Sequence, residues 1–385
     1  MERRTFVKVL GIGGVYLTIP ELFTGCATSS KLAIARSPWE IDGKVSQYDD
    51  IRLKILSYAI LAPNPHNKQP WIIDLRKPDE ISLYIDPERL LPMTDPFHRQ
   101  IYIGQGTFLE LLVMASKEFG YNPKIQLFPN GIDSVRETGK SPIATAKLQQ
   151  TEVEKDELFS QIPHRITNRR PYNDMSLLTG ELTSLGQSYD SENYPIRFVT
   201  DDEKLNAMGN LMTKAMEIET YLERTHAETV SMIRFNDEEV AKHRDGFSYE
   251  NMGVTGTSRF FAEMFAGRKQ AFGDSFREKT VSVTREMTQT AKAFGLMFAR
   301  ENNRIVQVEI GRQYARVHLT ATKLGLAMHP MSQVLQEYDE LAEVRQEFFK
   351  VIQPIEGIPQ MLFRLGRSKS TPHSPRRELL DLVRS

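Results

Sequence analysis

The run Ala-Pro-Asn-Pro-His-Asn-Lys-Gln-Pro-Trp at residues 62–71 places the tightest local constraint on this chain. Pro63, Pro65 and Pro70 each lack a backbone donor and restrict the residue before them, so the run enters neither a helix nor a central strand. It is a stiff polar loop. Ahead of it Ile51, Ile55, Tyr58, Ala59 and Ala62 recur as on one helix face, and after it Ile72, Ile73 and Leu75 read as a strand. A helix handing over to a strand through such a loop can present amides and carbonyls to a ligand. A plain surface connection has the same local pattern.

The 385 residues, 40% of them hydrophobic, are enough for about two domains or one elaborate domain. A formal charge of −1 gives no global basic field, so no nucleic-acid partner is expected. Cys26 is the only cysteine, which excludes intrachain disulfides, thiolate metal clusters and CxxC chemistry. None of the eight histidines stands in an HExxH or triad-like pattern, so neither a metal site nor a catalytic side chain is expected.

Residues 1–26 read as an export signal. Arg3-Arg4-Thr5-Phe6-Val7-Lys8 precedes a weakly apolar run diluted by Gly11, Gly13 and Gly14, and resembles a twin-arginine translocation signal. Pro20 and Glu21 interrupt it before the roughly 20 apolar residues that a membrane span needs. Thr24-Gly25-Cys26 is similar to the end of a lipoprotein signal, which makes Cys26 a lipidation candidate. Phe23 stands where an aliphatic residue is usual, so cleavage without lipid and an uncleaved anchor stay open. Residues 27–47 are polar and aperiodic and read as a tether.

Two halves are expected, 48–150 and 151–385. Residues 81–86 alternate as a strand, a helix follows Gly106 with Phe108, Leu111, Ala115 and Phe119 inward, and Gly120 caps it before a strand at 124–128. Gly311 to Gly325 repeats that spacing around Tyr314, Val317, Ala321 and Leu324. Thr200 and Glu203 form a capping-box pattern ahead of Leu205, Met208, Leu211 and Ala215. Residues 236–304 contain a glycine- and aromatic-rich excursion with Gly246, Phe247, Tyr249, Gly253, Gly256, Phe260, Phe261 and Phe265, read either as a lid or as an inserted subdomain.

Arg165-Ile166-Thr167-Asn168-Arg169 clusters guanidinium forks with a hydroxyl, a combination suited to phosphate oxygens, and Pro372-His373-Ser374-Pro375-Arg376-Arg377 offers a second basic group. Together with the proline-stiffened loop and the turn His329-Pro330-Met331-Ser332-Gln333, these motifs resemble the nitroreductase-type flavoproteins, in particular their internally duplicated Acg-like branch. The loop is similar to the Pro-Ser-x-x-Asn-x-Gln-Pro-Trp motif of that family, and the arginine segment to its Arg-Arg-Ser/Thr-x-Arg motif, with Ile166 in place of the second arginine.

The resemblance implies an α+β, three-layer α/β/α fold with a mostly antiparallel central sheet, and two related halves forming a monomeric pseudo-dimer. It implies FMN as cofactor, lined by Pro63, Asn64, Pro65 and Asn67, with its phosphate held by Arg165, Thr167 and Arg169 and with Arg376 or Arg377 nearby. Met331, Ser332 and Gln333 would lie along the isoalloxazine edge. The implied activity is an exported FMN-dependent oxidoreductase passing electrons to a small nitroaromatic or quinone-like acceptor, the alternative being flavin sequestration with little turnover. The expected location is periplasmic or membrane-anchored through Cys26 on the outer side of the cytoplasmic membrane, where NAD(P)H is not expected, so the electron donor is open.

Overall fold

The computed structural model describes residues 30–188, 190, 192–254, 259, 262, 267–355 and 357–384. The export signal and Cys26 lie outside the described residues, as do Gly256, Phe260, Phe261 and Phe265 of the excursion. The fold is α+β with antiparallel pairing dominant, as expected.

Structure begins earlier than the sequence suggests. Residues 30–47 are not a tether: α1 (Ser30–Arg36) and α2 (Ile41–Val45) form there, because Leu32 and Ala35 pack against Val240 while Trp39 and Ile41 reach the first core. Next comes α3 (Ile51–Ala59), whose cap Asp50 accepts from the Arg52 amide, and it ends against the proline loop.

The strands fall into two main sheets. In the first, β1 (Trp71–Asp74), β2 (Glu80–Ile85), β3 (Tyr121–Leu127) and β4 (Ala144–Gln150) pair antiparallel in the order β1-β2-β4-β3. Further along come β5 (Ile196–Val199), β6 (Ile233–Arg234), β7 (Phe247–Ser248), β8 (Ala293–Ala299), β9 (Ala327–Pro330) and β10 (Ile358–Gly366). The second sheet, β5-β8-β10-β9, is antiparallel throughout, and β6 and β7 pair within the excursion. The chain's last strand, β11 (Val383–Arg384), returns to lie parallel to β1, which carries the C-terminal tail to the edge of the first sheet.

Two long helices, α4 (Arg99–Glu118) and α5 (Arg304–Lys323), pack on each other between the sheets. Both are 20 residues long, and both are followed by a left-handed glycine, Gly120 (φ 80°) and Gly325 (φ 67°). The repeated glycine spacing seen in the sequence falls on these two helices. Its meaning differs from the expectation, since Gly106 and Gly311 lie inside the helices rather than ahead of them. A Cβ on Gly106 would stand 1.9 Å from the Val308 carbonyl oxygen, and one on Gly311 would stand 1.9 Å from that of Ile103. These glycines let two backbones touch. Beside them the buried Glu110 of α4 pairs with Arg312 and Arg316 of α5.

The helix Asp202–Tyr221 is capped by Asp201, which accepts from the Lys204 amide, not by Thr200. Asp satisfies that orphan donor as well as Thr would, and lies one residue nearer. None of the described helices is long and apolar enough to cross a membrane.

Candidate functional site

The proline loop is held in an unusual backbone conformation. His66, Asn67 and Gln69 have φ of 51°, 53° and 50°, a left-handed cluster that side chains rarely adopt without compensating contacts. The contacts are present. Asn64 Oδ1 accepts from the Gln69 amide at 2.7 Å, closing the loop on itself. Asn67 Nδ2 donates to the Gly246 carbonyl at 3.2 Å and the Pro375 carbonyl at 3.0 Å, while its Oδ1 accepts from Arg376. Gln69 Nε2 donates to the Arg244 carbonyl at 2.7 Å, and its Oε1 accepts from the Arg377 amide at 2.8 Å. The loop is thus stapled on one side to the excursion and on the other to the C-terminal tail.

The arginine segment is fixed from behind. Thr167 forms a single parallel bridge with Met328 of β9, the His318 ring of α5 lies 3.2 Å from the Ile166 carbonyl, and Asn168 Nδ2 donates to the Lys369 carbonyl at 2.9 Å. With the segment so placed, Arg165, Ile166, Thr167 and Arg169 face Pro63, Asn64 and Asn67 across a cavity of about 30 Å³, which Trp39, His373, Ser374 and Arg376 complete.

The charge in this cavity is one-sided. Arg376 is buried and spends its donors on the carbonyls of Ile60, Leu61, Ala62 and Pro375 and on Asn67. Arg165, 3% exposed, reaches the Leu61 carbonyl at 3.0 Å and Thr167 Oγ1 at 3.4 Å but leaves Nε without a partner. Arg169 lies 4.7 Å over the Phe247 ring. Among the described residues no carboxylate pairs with any of the three. Burial pulls Arg165 and Arg169 down to about 10 and takes Arg376 well below its ordinary value, with neighbouring guanidiniums adding to the effect. The surrounding histidines stay neutral: burial and then the arginines bring His66 to about 4 and His373 to about 3. Such a donor set suits an anion with oxygen acceptors, and phosphate has that chemistry.

The structure brings together Pro63, Asn64, Asn67, Arg165, Thr167, Arg169 and Arg376 out of the residues singled out in the sequence. Pro65 instead packs toward Gly104 of α4, and Arg377 turns away toward Gln69 and Asp86. Met331, Ser332 and Gln333 do not line this cavity. Met331 belongs to the core around Phe294 and Phe348, Ser332 bonds to the Leu362 backbone, and the Gln333 carbonyl accepts from Gln336. Sequence reasoning missed Trp39, His373 and Ser374 as cavity-lining residues. The available signal was Trp39 itself, one of only two tryptophans, standing in a stretch read as a tether.

No family model matches the chain. It is 25% identical over 337 residues, 86% of its length and 90% of the relative's, to a Mycobacterium tuberculosis H37Rv protein described as an NAD(P)H nitroreductase, Rv3131. A second M. tuberculosis protein so described, acg, is 30% identical over 84 residues, 22% of this chain and 25% of that one. The chain is similar to nitroreductases over most of its length. Among solved structures, a nitroreductase from Anabaena variabilis is 12% identical, with 75% of this chain and 69% of that one covered and a TM-score of 0.38. The FMN-dependent nitroreductase NfnB of Mycobacterium smegmatis, in complex with NADPH, is 15% identical, with 58% and 96% covered and a TM-score of 0.36.

Proposed function

We propose that this chain is an FMN-binding oxidoreductase of nitroreductase type, built from two related halves. One observation carries the reading: Arg165, Thr167, Arg169 and Arg376 converge without a carboxylate on the proline loop, in a chain similar along most of its length to a described nitroreductase. The donor set fits the phosphate of FMN, and the unpartnered Arg165 Nε is a donor such a group would satisfy. The cavity beside it measures about 30 Å³, less than a flavin ring occupies, so its lining has to rearrange to admit the ring.

When bound, the flavin supplies reversible two-electron chemistry, and the protein binds, orients and shields it. Arg165, Arg169 and Thr167 hold the phosphate, while Arg376, clamped by Asn67 and three consecutive carbonyls, contributes positive field without moving. The acceptor is a small nitroaromatic or quinone-like molecule. The twin-arginine-like signal supports export of the folded, cofactor-loaded chain, to the periplasm or to an anchor at Cys26, with an electron donor other than NAD(P)H.

Flavin sequestration is the second reading. The stapling of residues 244–247 to the loop through Asn67 and Gln69 favours it, since a covered site turns over slowly. Protein purified without refolding should show a flavin absorption band or acquire one on adding FMN, and colourless protein that takes up none sinks both readings. Photoreduction followed by a quinone separates them, because a flavin that stays reduced is stored rather than used.

A further inference from the structure

Trp39 lines the arginine cavity, its ring within cation–π reach of Arg165 and Arg376. We propose that residues 30–40 form a removable plug of the arginine site, and that Trp39 and a bound flavin exclude each other. This rests on the flavin reading above and adds regulation of access to it.

Small-molecule pockets run to about 300 Å³ or more, some ten times the cavity found here. What fills the difference is aromatic. The Trp39 ring stacks on His373 with centroids 4.1 Å apart and planes 14° off parallel, and it lies within cation–π reach of Arg376 at 5.0 Å and Arg165 at 5.8 Å. Its Nε1 donates to the Ser374 carbonyl at 2.8 Å. The plug therefore offers the two arginines an aromatic surface.

This segment is also the wall that can be removed. Arg165 and Arg376 are fixed by carbonyls of residues 60–62 at the end of α3. Residues 30–40, by contrast, are held largely by side-chain and single backbone contacts. Arg36 pairs with Glu250 and donates to the His373 carbonyl at 2.9 Å, Ser37 Oγ donates to Glu378 at 3.0 Å, and the Arg376 amide donates to Ala35. The apolar patch beneath α1 is only Leu32, Ala35 and Val240. Beyond that patch the apolar anchor of residues 30–40 is Trp39 itself at the edge of the first core, and a segment so held opens at a cost below that of global unfolding. While it is closed, apparent affinity for a ring-bearing ligand falls by the fraction of molecules that are open.

The test uses the full chain with FMN and inorganic phosphate as probes, reading hydrogen exchange across residues 30–40 and the flavin dissociation constant by fluorescence. FMN should raise exchange in this segment several-fold, whereas phosphate, which fits beside Trp39, should leave it unchanged. Trp39→Ala should bind FMN about tenfold more tightly. Arg36→Ala keeps every cavity-lining side chain while giving up the Glu250 pair and the bond to the His373 carbonyl, should act in the same direction, and serves if Trp39→Ala misfolds. FMN binding with unchanged or reduced exchange, and no gain in either variant, overturns the plug and leaves the flavin reading standing. Absence of FMN binding in wild type and both variants overturns the two together.

Discussion

Gly106 and Gly311 face each other across the central helix pair so closely that a Cβ on either would lie 2.9 Å from the Cα of the other. The added methyl would also meet a backbone carbonyl at 1.9 Å, and backbone cannot rotate aside as a side chain can. Gly106→Ala and Gly311→Ala should each separate the helices and cost about 1–3 kcal/mol or more, lowering the thermal midpoint by several degrees. Gly180→Ala is the control: among the described residues nothing beyond its own helix backbone and chain neighbours lies within 4 Å of its Cβ position, so it should be neutral or slightly stabilising. Equal midpoints for all three variants would mean that the helices do not touch at the glycines.

Asn67→Ala removes one side chain that serves three partners: the Gly246 carbonyl, the Pro375 carbonyl and Arg376. Leaving them unpaired in a buried site should cost about 2–3 kcal/mol by denaturant unfolding. The same change frees the Arg376 guanidinium and should weaken FMN retention at least tenfold. Undiminished flavin affinity would show that Arg376 keeps its orientation through the carbonyls of residues 60–62 alone.

Those two sites mark how far the sequence could be read. Local chemistry was legible: the prolines enforced a loop, the alternating residues of β2 a strand, and the left-handed Gly120 and Gly325 the two helix ends. The glycine echo was visible too, but not its purpose, because a helix-interior glycine and a helix-start glycine look alike until the partner helix is in place. The arginine segment and the proline loop could be paired only through resemblance, since the contacts joining them span about a hundred residues. Trp39 was the plainest loss. Its burial depends on Ser374, His373 and Arg376 more than 330 residues away, and no local periodicity records that.

Glu219 offers a pH signature away from the cavity. It is 3% exposed, and burial, with Glu228 nearby and only partly offset by the Thr229 hydroxyl, raises its pKa from 4.5 to about 7. Between those values the folded chain keeps a proton that the unfolded chain has released, so Glu219 costs nothing below pH 4.5 and its full penalty above pH 7. Glu219→Gln should therefore stabilise the protein at pH 8, by up to about 3 kcal/mol, with the gain shrinking to nothing near pH 4.5. Unfolding midpoints of both proteins across that range provide the check, and a pH-independent difference would mean that Glu219 does not titrate differently in the fold.

Arg169 should show opposite effects on stability and binding. Burial pulls it down to about 10, the Phe247 ring lies against its guanidinium, and it stands near Arg165, which likewise pairs with no carboxylate among the described residues. Such a charge strains the ligand-free protein and is useful only when an anion arrives. Arg169→Met keeps the length and the contact with Phe247 while removing the charge. It should raise the unfolding midpoint of ligand-free protein by a few degrees, and it should abolish the further rise that saturating FMN gives the wild type by mass action. The paired scans, with and without FMN, read both effects at once. A variant that unfolds earlier yet is still stabilised by FMN would show that the Arg169 charge supports the fold and does not hold the phosphate.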